Sequence, residues 1–262
     1  MKLATFMVPG RSEPLSGLVQ DDGSVVAFGG PDGVREALAS GRVPGPSGGF
    51  WPLADVRLLA PVPEPGTIYA IGLNYADHIA ETGAQRPEAP IVFVKVRGSV
   101  AAPGGPVRCP EVVTRLDYEG ELVIVIGADG KPGGYCIADD VSARDLQKRE
   151  PQWTRAKGAD TFCPFGPWVT TADEVPDPGN LGLRTWVNGE LRQDSNTSNL
   201  IFGCDELVAF IAQTCTLAPG DLILTGTPNG VGQAMDPPQF LASGDRVRIA
   251  IDGLGEIEHA VE

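Results

Sequence analysis

Histidine is scarce in this chain, which has only His78 and His259 among its 262 residues. A zinc site built from several imidazoles is therefore excluded, and no cluster of cysteines is present to replace it. If the chemistry needs a histidine as general base, that base must be one of these two residues. His259 lies close to the C-terminus in an expected strand, and we assign it no catalytic role.

Cysteine pairs and positive charge are also lacking. The five cysteines include no pair with C-x-x-C spacing, and their odd number is typical of reduced, mostly buried thiols in an intracellular protein. Lysine and arginine number 20 against 34 acidic residues, so the net charge of −14 argues against nucleic acid and anionic lipid as partners. A carboxylate substrate would then need a local source of positive charge, which a bound metal ion can supply.

Long apolar runs are absent as well. No stretch approaches the roughly 20 apolar residues of a membrane span. The apolar run near the N-terminus is too short for a signal peptide. We therefore expect a cytoplasmic protein that does not span a membrane.

The pattern of strands and turns indicates a strand-rich α+β protein. Residues 1–62 are expected to form a small N-terminal domain that ends in a proline-rich linker, LLAPVPEPG, and residues 63–262 the catalytic domain. The N-G pair in TWVNGELRQ predicts a hairpin. The few helices do not alternate regularly with strands, which argues against a Rossmann or TIM-barrel fold.

Two glutamates occupy the strongest strand of the sequence, LDYEGELVIVIG. Side chains alternate between the faces of a strand, so Glu119 and Glu121 project side by side from one face. The later half of the strand is apolar on both faces, as in a buried strand. Adjacent buried carboxylates repel each other, and a hard cation with oxygen ligands removes that cost. Solvated acids on an edge strand are the alternative interpretation.

A second pair of acids, Asp139 and Asp140, ends an apolar run where a strand is expected to turn into a helix. One of them could cap the helix while the other binds a metal. Alternatively, both could be acids at the start of the helix, with Ser142 as its cap.

A histidine and a glutamate share one face of an expected short helix, NYADHIAET, which Gly83 should end. His78 and Glu81 are three residues apart, and a carboxylate in this position orients the imidazole and raises its basicity. The two residues are either a general-base pair that activates water or a surface contact.

Two glycine- and proline-rich segments contain the remaining candidates. Lys157, in KGADTFCPFGPW, is either a half-buried cation for a substrate oxygen or a surface lysine with a partly covered aliphatic stem. Thr227 follows a strand in LILTGTPNGVG, where small residues would let backbone N–H groups and the Thr227 hydroxyl approach a ligand. A plain tight turn is equally compatible with this segment.

In their order along the chain these patterns resemble the fumarylacetoacetate hydrolase family. The similarity extends from about Thr67 to the C-terminus, and the matching runs are GLNYADHIAETG, DYEGELVIVIG, IADDVSARDLQ, KGADTFCPFGPW, NGELRQDSNTSNLIF and GDLILTGTPNGVG. The resemblance implies a mixed β-sandwich roll and a homodimer. Within the family the chain looks like a bacterial acylpyruvate hydrolase or 2-hydroxyhepta-2,4-diene-1,7-dioate isomerase, and its first segment resembles the small, variable N-terminal domain of bacterial members.

The resemblance also implies a metal centre. The cation would be Mg²⁺ or Mn²⁺, with Ca²⁺ as a further candidate, and its ligands would be Glu119, Glu121 and Asp140. The residue before the metal aspartate is commonly asparagine in the family, whereas this chain has Asp139. That extra acid could change the affinity for the metal or replace a hydrogen bond.

Further roles follow from the same resemblance. The water-activating dyad, on a helix that acts as a lid, would be His78 and Glu81. The lysine that polarises a substrate oxygen would be Lys157. The residues that contact the substrate would be Arg144, Gln147 and Thr227. Arg97 stands where the family commonly has a proline–serine run, and it could contact a second carboxylate of the substrate if its loop borders the site.

The reaction expected from the resemblance is hydrolysis of a carbon–carbon bond in a 2,4-diketo acid, an acylpyruvate such as fumarylpyruvate. The metal would stabilise the departing enolate. His78 would activate water and Lys157 would stabilise the oxyanion at the distal carbonyl. Decarboxylation of oxaloacetate and isomerisation or tautomerisation of a hydroxy-dienoate are alternatives at the same site. A non-catalytic protein that binds a metal or a small acid is the alternative from another class.

Overall fold

The computed structural model describes residues 1 to 262, and strands dominate its regular structure. The strands are β1 (Lys2–Met7), β2 (Leu15–Val19), β3 (Ser24–Gly29), β4 (Phe50–Pro52), β5 (Arg57–Leu58), β6 (Ile68–Gly72), β7 (Ile91–Lys95), β8 (Val100–Ala101), β9 (Leu116–Asp117), β10 (Gly120–Ile126), β11 (Pro132–Asp139), β12 (Ser142–Ala143), β13 (Cys163–Thr171), β14 (Gly182–Val187), β15 (Glu190–Asn196), β16 (Leu222–Leu224), β17 (Arg246–Ile251) and β18 (Gly255–Ala260). The α-helices are α1 (Gly33–Ser40), α2 (Ala76–Thr82), α3 (Arg144–Arg149), α4 (Thr154–Lys157) and α5 (Cys204–Ala212). None of these helices combines the length and the apolar character that crossing a membrane requires.

One mixed sheet forms the centre of the fold. Its strand order is β4-β3-β2-β1-β13-β11-β10-β16-β6-β7, with β5 beside β1 and β8 beside β13. A separate sheet has the order β15-β14-β17-β18, and β9 pairs with β12. Most neighbouring strands are antiparallel, but β16 runs parallel to β6 and β8 runs parallel to β13. The predicted strand-rich α+β class with mixed sheets is confirmed.

Strand β10 lies inside the central sheet, and both of its faces are buried. Leu122 and Ile124 belong to the main hydrophobic cluster, which also contains side chains from α5 and the four-stranded sheet. Val123 and Val125 belong to a second cluster, shared with α1, β1 and β13. This is the alternation predicted from the sequence, and the alternative of an edge strand with solvated acids is excluded.

The N-terminal strands extend the central sheet. Leu3 pairs with Val169, so β1 and β13 join the first strands to the rest of the chain. The segment expected to be a linker is largely buried, with exposed fractions of 4% at Ala60 and 2% at Val62. The expected boundary at residue 62 falls between β5 and β6, and the division into two domains stays a prediction.

Two local turn predictions are confirmed by backbone geometry. The hairpin between β14 and β15 has positive φ angles at both Asn188 (52°) and Gly189 (82°), as the N-G pair predicts. Gly83 ends α2 in the left-handed conformation, with φ at 67°. The α2 helix, which presents the predicted dyad, therefore ends where its sequence indicates, although it begins at Ala76 and not at Asn74, the first residue of the predicted helix.

The segment predicted as one strand from Leu116 onwards is interrupted between β9 and β10. At the interruption the Glu119 N–H donates to the Asp139 carboxylate at 2.7 Å, and the Gly120 N–H donates to the Gln193 side chain at 3.0 Å. Because side chains accept these two backbone protons, the ladder between strands stops there. A β-carbon at Gly120 would lie 2.5 Å from the Thr185 hydroxyl, so a larger residue does not fit between the two glutamates.

Candidate metal centre and active site

Antiparallel pairing of β10 with β11 brings the three predicted metal ligands together. Gly120 pairs with Asp139, so the start of β10 lies beside the end of β11. The Asp140 N–H donates to the Glu119 carbonyl at 2.9 Å. Carboxylate oxygens of Glu119, Glu121 and Asp140 lie within 4.8 Å of one another. Neither aspartate caps α3, so the interpretation of these acids as helix caps is wrong.

All three carboxylates of this triad are buried, with exposed fractions of 6%, 1% and 1% at Glu119, Glu121 and Asp140. Glu121 accepts the Gly226 N–H at 2.7 Å and forms no ion pair within the chain. Burial, together with the charges of Asp140 and Glu119, raises the pKa of Glu121 well above its usual value. At Gly226 φ is 103° and a β-carbon would lie 2.9 Å from Asn74 Cβ, so glycine is required to present this N–H.

Three buried cations surround the other two carboxylates. Lys157 Nζ lies 2.5 Å from Glu119 Oε2 and 2.7 Å from Asp140 Oδ2. Lys95 Nζ lies 2.5 Å from Asp140 Oδ1 and also donates to the Lys157 carbonyl. Arg144 Nη2 lies 2.6 Å from Glu119 Oε1, within ion-pair distance but not aligned as a hydrogen bond. Burial opposes ionisation of Glu119, but Arg144 and Lys157 outweigh it and lower the Glu119 pKa to about 2.

This donor set fits a hard divalent cation. Oxygen ligands are those that Mg²⁺, Mn²⁺ and Ca²⁺ prefer, and the cluster contains carboxylates only. Within the triad, Glu121 is the carboxylate that lacks a cationic partner, and a cation held by the triad would provide one. The surface interpretation of Lys157 is excluded, because this residue is only 3% exposed and contacts two members of the triad.

The predicted dyad is present on α2. His78 Nδ1 lies 3.2 Å from Glu81 Oε2, and Glu81 Oε1 accepts the Gly230 N–H at 2.8 Å. Asp77, at the start of the helix, accepts a hydrogen bond from the Ser195 hydroxyl at 2.5 Å. His78 is buried, which excludes a surface contact, and its Nε2 forms no hydrogen bond within the chain. The helix is thus held to β15 and to the loop after β16, with one ring nitrogen unengaged.

A cavity of about 530 Å³ lies beside the triad and has the size of a small-molecule site. Seven of the nine predicted site residues line it, namely His78, Glu119, Glu121, Arg144, Gln147, Lys157 and Thr227. The other two do not line the cavity but contact residues that do: Asp140 contacts Lys157, and Glu81 contacts His78. The structure therefore brings all nine predicted residues together at one site.

The residues predicted to contact substrate are already partly engaged with one another. Gln147 Oε1 accepts from Arg144 Nη1 at 3.0 Å, so the amide nitrogen of Gln147 remains for a ligand. The Thr227 hydroxyl donates to the Gly120 carbonyl at 3.1 Å and accepts from Gln193 Nε2 at 2.8 Å. Their roles in substrate binding stay predictions.

Arg97 does not border this cavity, so the hypothesis that it contacts a second carboxylate is wrong. Its side chain is 68% exposed and lies 3.6 Å from Glu64. The cavity wall instead includes Arg115 and Lys148, which no motif of the sequence singled out.

Asp139 supports the acidic triad through a hydrogen bond. Its Oδ1 accepts the Glu119 N–H at 2.7 Å, and its Oδ2 lies 2.8 Å from His259 Nε2. Both Asp139 and His259 are buried. The hydrogen-bonding role considered for Asp139 is the one that the structure shows, and His259 was missed because its partner is remote in sequence. Lys95 was missed too, although a single lysine that ends the apolar run IVFV is a signal for a buried cation.

The fold and the site define a strand-rich protein with a buried carboxylate triad at the wall of a small-molecule cavity. The profile of the fumarylacetoacetate (FAA) hydrolase C-terminal family matches residues 67–262. A mitochondrial oxaloacetate tautomerase of Xenopus laevis is 46% identical over 220 residues, or 79% of this chain and 69% of that protein. The chain belongs to the fumarylacetoacetate hydrolase family.

Two solved structures share the fold over the whole chain. The 2-hydroxyhepta-2,4-diene-1,7-dioate isomerase from Mycobacterium marinum is 37% identical with a TM-score of 0.82, covering 100% of this chain and 98% of its own. The fumarylacetoacetate hydrolase from Exiguobacterium antarcticum is 34% identical with a TM-score of 0.88, covering 100% and 99%. The names of these relatives include a tautomerase, an isomerase and a hydrolase, so family membership by itself does not select a reaction.

Proposed function

We propose that this chain catalyses keto–enol tautomerisation of a small dicarboxylic 2-keto acid with the help of a divalent cation. Oxaloacetate is the first substrate to test. The observation that carries the proposal is a histidine with one unengaged ring nitrogen in the same cavity as a buried carboxylate triad. Proton transfer next to a keto group needs a base and electrostatic stabilisation of the enolate, and the cavity contains groups suited to both.

Each part of the site has a role in this proposal. The residues that would hold Mg²⁺ or Mn²⁺, with Ca²⁺ as a further candidate, are Glu119, Glu121 and Asp140. When bound, such an ion supplies the Lewis acidity that favours the enolate of a 2-keto acid. His78, oriented by Glu81, would move a proton to or from the carbon next to the keto group. Lys157 donates two of its three N–H groups to carboxylates, which leaves the third for a substrate oxygen.

Hydrolysis of an acylpyruvate, the reaction expected from the sequence, is the second candidate. The His78–Glu81 pair, at 3.2 Å, has the form of a base that activates water, and this observation favours hydrolysis. Tautomerisation ranks first because the relative that is 46% identical carries the name oxaloacetate tautomerase, whereas the structure named as a hydrolase is 34% identical. Both reactions pass through an enolate, so both use the same triad.

One set of assays separates the two reactions. The enzyme is mixed with the enol form of oxaloacetate and with acetylpyruvate, with Mg²⁺ or with EDTA, and the products are followed by NMR. We expect metal-dependent acceleration of ketonisation, which His78→Ala should reduce by roughly 10²- to 10⁴-fold. Cleavage of acetylpyruvate without faster ketonisation would select hydrolysis, and turnover of neither compound would overturn both candidates.

A homodimer and a cytoplasmic location complete the proposal. The dimer is supported by β7, an end strand of the central sheet on which Ile91, Val92 and Val94 are 37%, 37% and 40% exposed. Light scattering should give the mass of a dimer, and a monomer across the working concentration range would contradict this expectation. The net charge of −14 supports the absence of nucleic-acid partners.

A further inference from the structure

Two cations in the cavity wall are used neither by the metal centre nor by the dyad. Arg115 and Lys148 both line the cavity, and neither forms an ion pair within the chain. The other two cations of the wall, Arg144 and Lys157, are each held by Glu119. In a chain with a net charge of −14, two unpaired cations at one cavity are available to an anion from solution.

The pairing of β9 with β12 determines where these two cations lie. The Arg144 N–H donates to the Arg115 carbonyl at 2.9 Å, which places Arg115 beside the first residue of α3. Lys148 follows Arg144 by four residues and so lies on the same face of α3, one turn further on. Arg115 and Lys148 therefore flank the predicted substrate residues Arg144 and Gln147.

The cavity has an inner and an outer end with different chemistry. Arg144 and Lys157 are buried beside the triad, whereas Arg115 and Lys148 are exposed to solvent. The guanidinium carbon of Arg115 lies 5.7 Å from the centre of the Phe240 ring, a cation–π contact that favours one position of this side chain. A ligand with a carboxylate at each end could be held at both ends of the cavity.

We propose that Arg115 and Lys148 bind the second carboxylate of a dicarboxylic 2-keto acid whose keto-acid end lies at the triad. This inference rests on the proposed function, because it takes the position of the keto-acid end from it. The two cations then make the site prefer dicarboxylic over monocarboxylic 2-keto acids. Two exposed cations match a carboxylate by charge, and the preference should weaken as salt screens that charge.

The test compares ligands that differ only in the second carboxylate. Affinities of 2-oxoglutarate and 2-oxovalerate, which have equal chain length, are measured by calorimetry in the presence of Mg²⁺. The longer pair, 2-oxoadipate and 2-oxohexanoate, is measured in the same way. The variants are Arg115→Met, Lys148→Met and the double change. Arg149→Met is the matched control, because Arg149 is the next exposed cation of α3, faces Glu150 at 3.6 Å and does not line the cavity.

We expect wild-type protein to bind the dicarboxylic member of at least one pair more tightly. The double variant should lose roughly three- to tenfold in affinity for that ligand, with little change for its monocarboxylic partner. Arg149→Met should behave as wild type. Equal losses for both members of a pair, or no preference in the wild-type protein, would overturn the inference.

The same experiment distinguishes failure of the inference from failure of the proposed function. A dicarboxylate preference that depends on Arg115 and Lys148, in a protein that does not accelerate oxaloacetate ketonisation, would uphold the binding site and reject the reaction. Normal ketonisation in the double variant with unchanged affinities would reject the binding site and leave the reaction standing.

Discussion

Replacement of Lys157 by methionine is the sharpest test of how the acidic triad is held together and of whether it binds a metal ion. The Lys157 ammonium is buried and contacts Glu119 at 2.5 Å and Asp140 at 2.7 Å. Methionine retains an unbranched apolar side chain but removes the charge. We expect the metal-free variant to be less stable than wild type, because two buried carboxylates lose a cation that they share.

The size of this loss can be bounded from the contacts that remain. Removing one partner of a buried ion pair typically costs about 3–5 kcal/mol. Asp140 keeps Lys95 and Glu119 keeps Arg144, so the lower end, about 3 kcal/mol, is the expected value. For a chain of this size that corresponds to a fall of roughly 6–12 °C in melting temperature.

Urea unfolding with EDTA and with saturating Mg²⁺ measures this effect. We expect Mg²⁺ to stabilise Lys157→Met more than wild type, because the ion would restore positive charge to Glu119 and Asp140. Lys131→Met, at an exposed position, is the control and should respond to Mg²⁺ as wild type does. Turnover of Lys157→Met should fall by roughly 10²- to 10³-fold if the lysine also stabilises an oxyanion.

Two results would refute this reasoning about the acidic triad and its metal. The first is a variant as stable as wild type in EDTA, since Lys157 would then contribute nothing to the burial of the carboxylates. The second is equal stabilisation of both proteins by Mg²⁺, since the ion would then not bind at the oxygens that Lys157 contacts. Both comparisons assume that the unfolding free energy depends on urea concentration with the same slope in the two proteins. The same unfolding curves measure that slope.

Three further substitutions have expected outcomes. Glu121→Gln should stabilise the metal-free protein, because the raised pKa of Glu121 means that its ionisation opposes folding. The gain in unfolding free energy should grow as pH rises from roughly 5 to 8. Calorimetry should show that this variant no longer binds Mg²⁺. Glu81→Gln should lower turnover by roughly 10²-fold with unchanged ligand affinity in calorimetry, and normal turnover would remove the dyad from the mechanism. Asp139→Ala should lower the free energy of unfolding by about 1–3 kcal/mol and weaken Mg²⁺ binding, because the Glu119 N–H loses its acceptor. Asp139→Asn keeps an acceptor, so its stability and its Mg²⁺ affinity should be close to those of wild type.

Much of the local structure could be predicted because its signals lie between neighbouring residues. The alternation along LVIVIG, the N-G hairpin and the glycine that ends α2 each depend on a few consecutive positions. The order of the short motifs indicated the family and therefore the candidate ligands. The grouping of these residues at one cavity then followed from the register of β10 and β11.

The sequence by itself indicated most of the elements, the three acids and the dyad, since these lie in short motifs whose order along the chain resembles the family. Only the tertiary structure decided which cations meet the acids, because such contacts join distant parts of the chain. His259 reaches Asp139 across 120 positions, and Lys95 reaches Asp140 across 45. The packing of distant segments also defines the cavity wall, which spacing along one strand does not reveal. For this reason only the structure showed that Arg115 lines the cavity and that Arg97 does not.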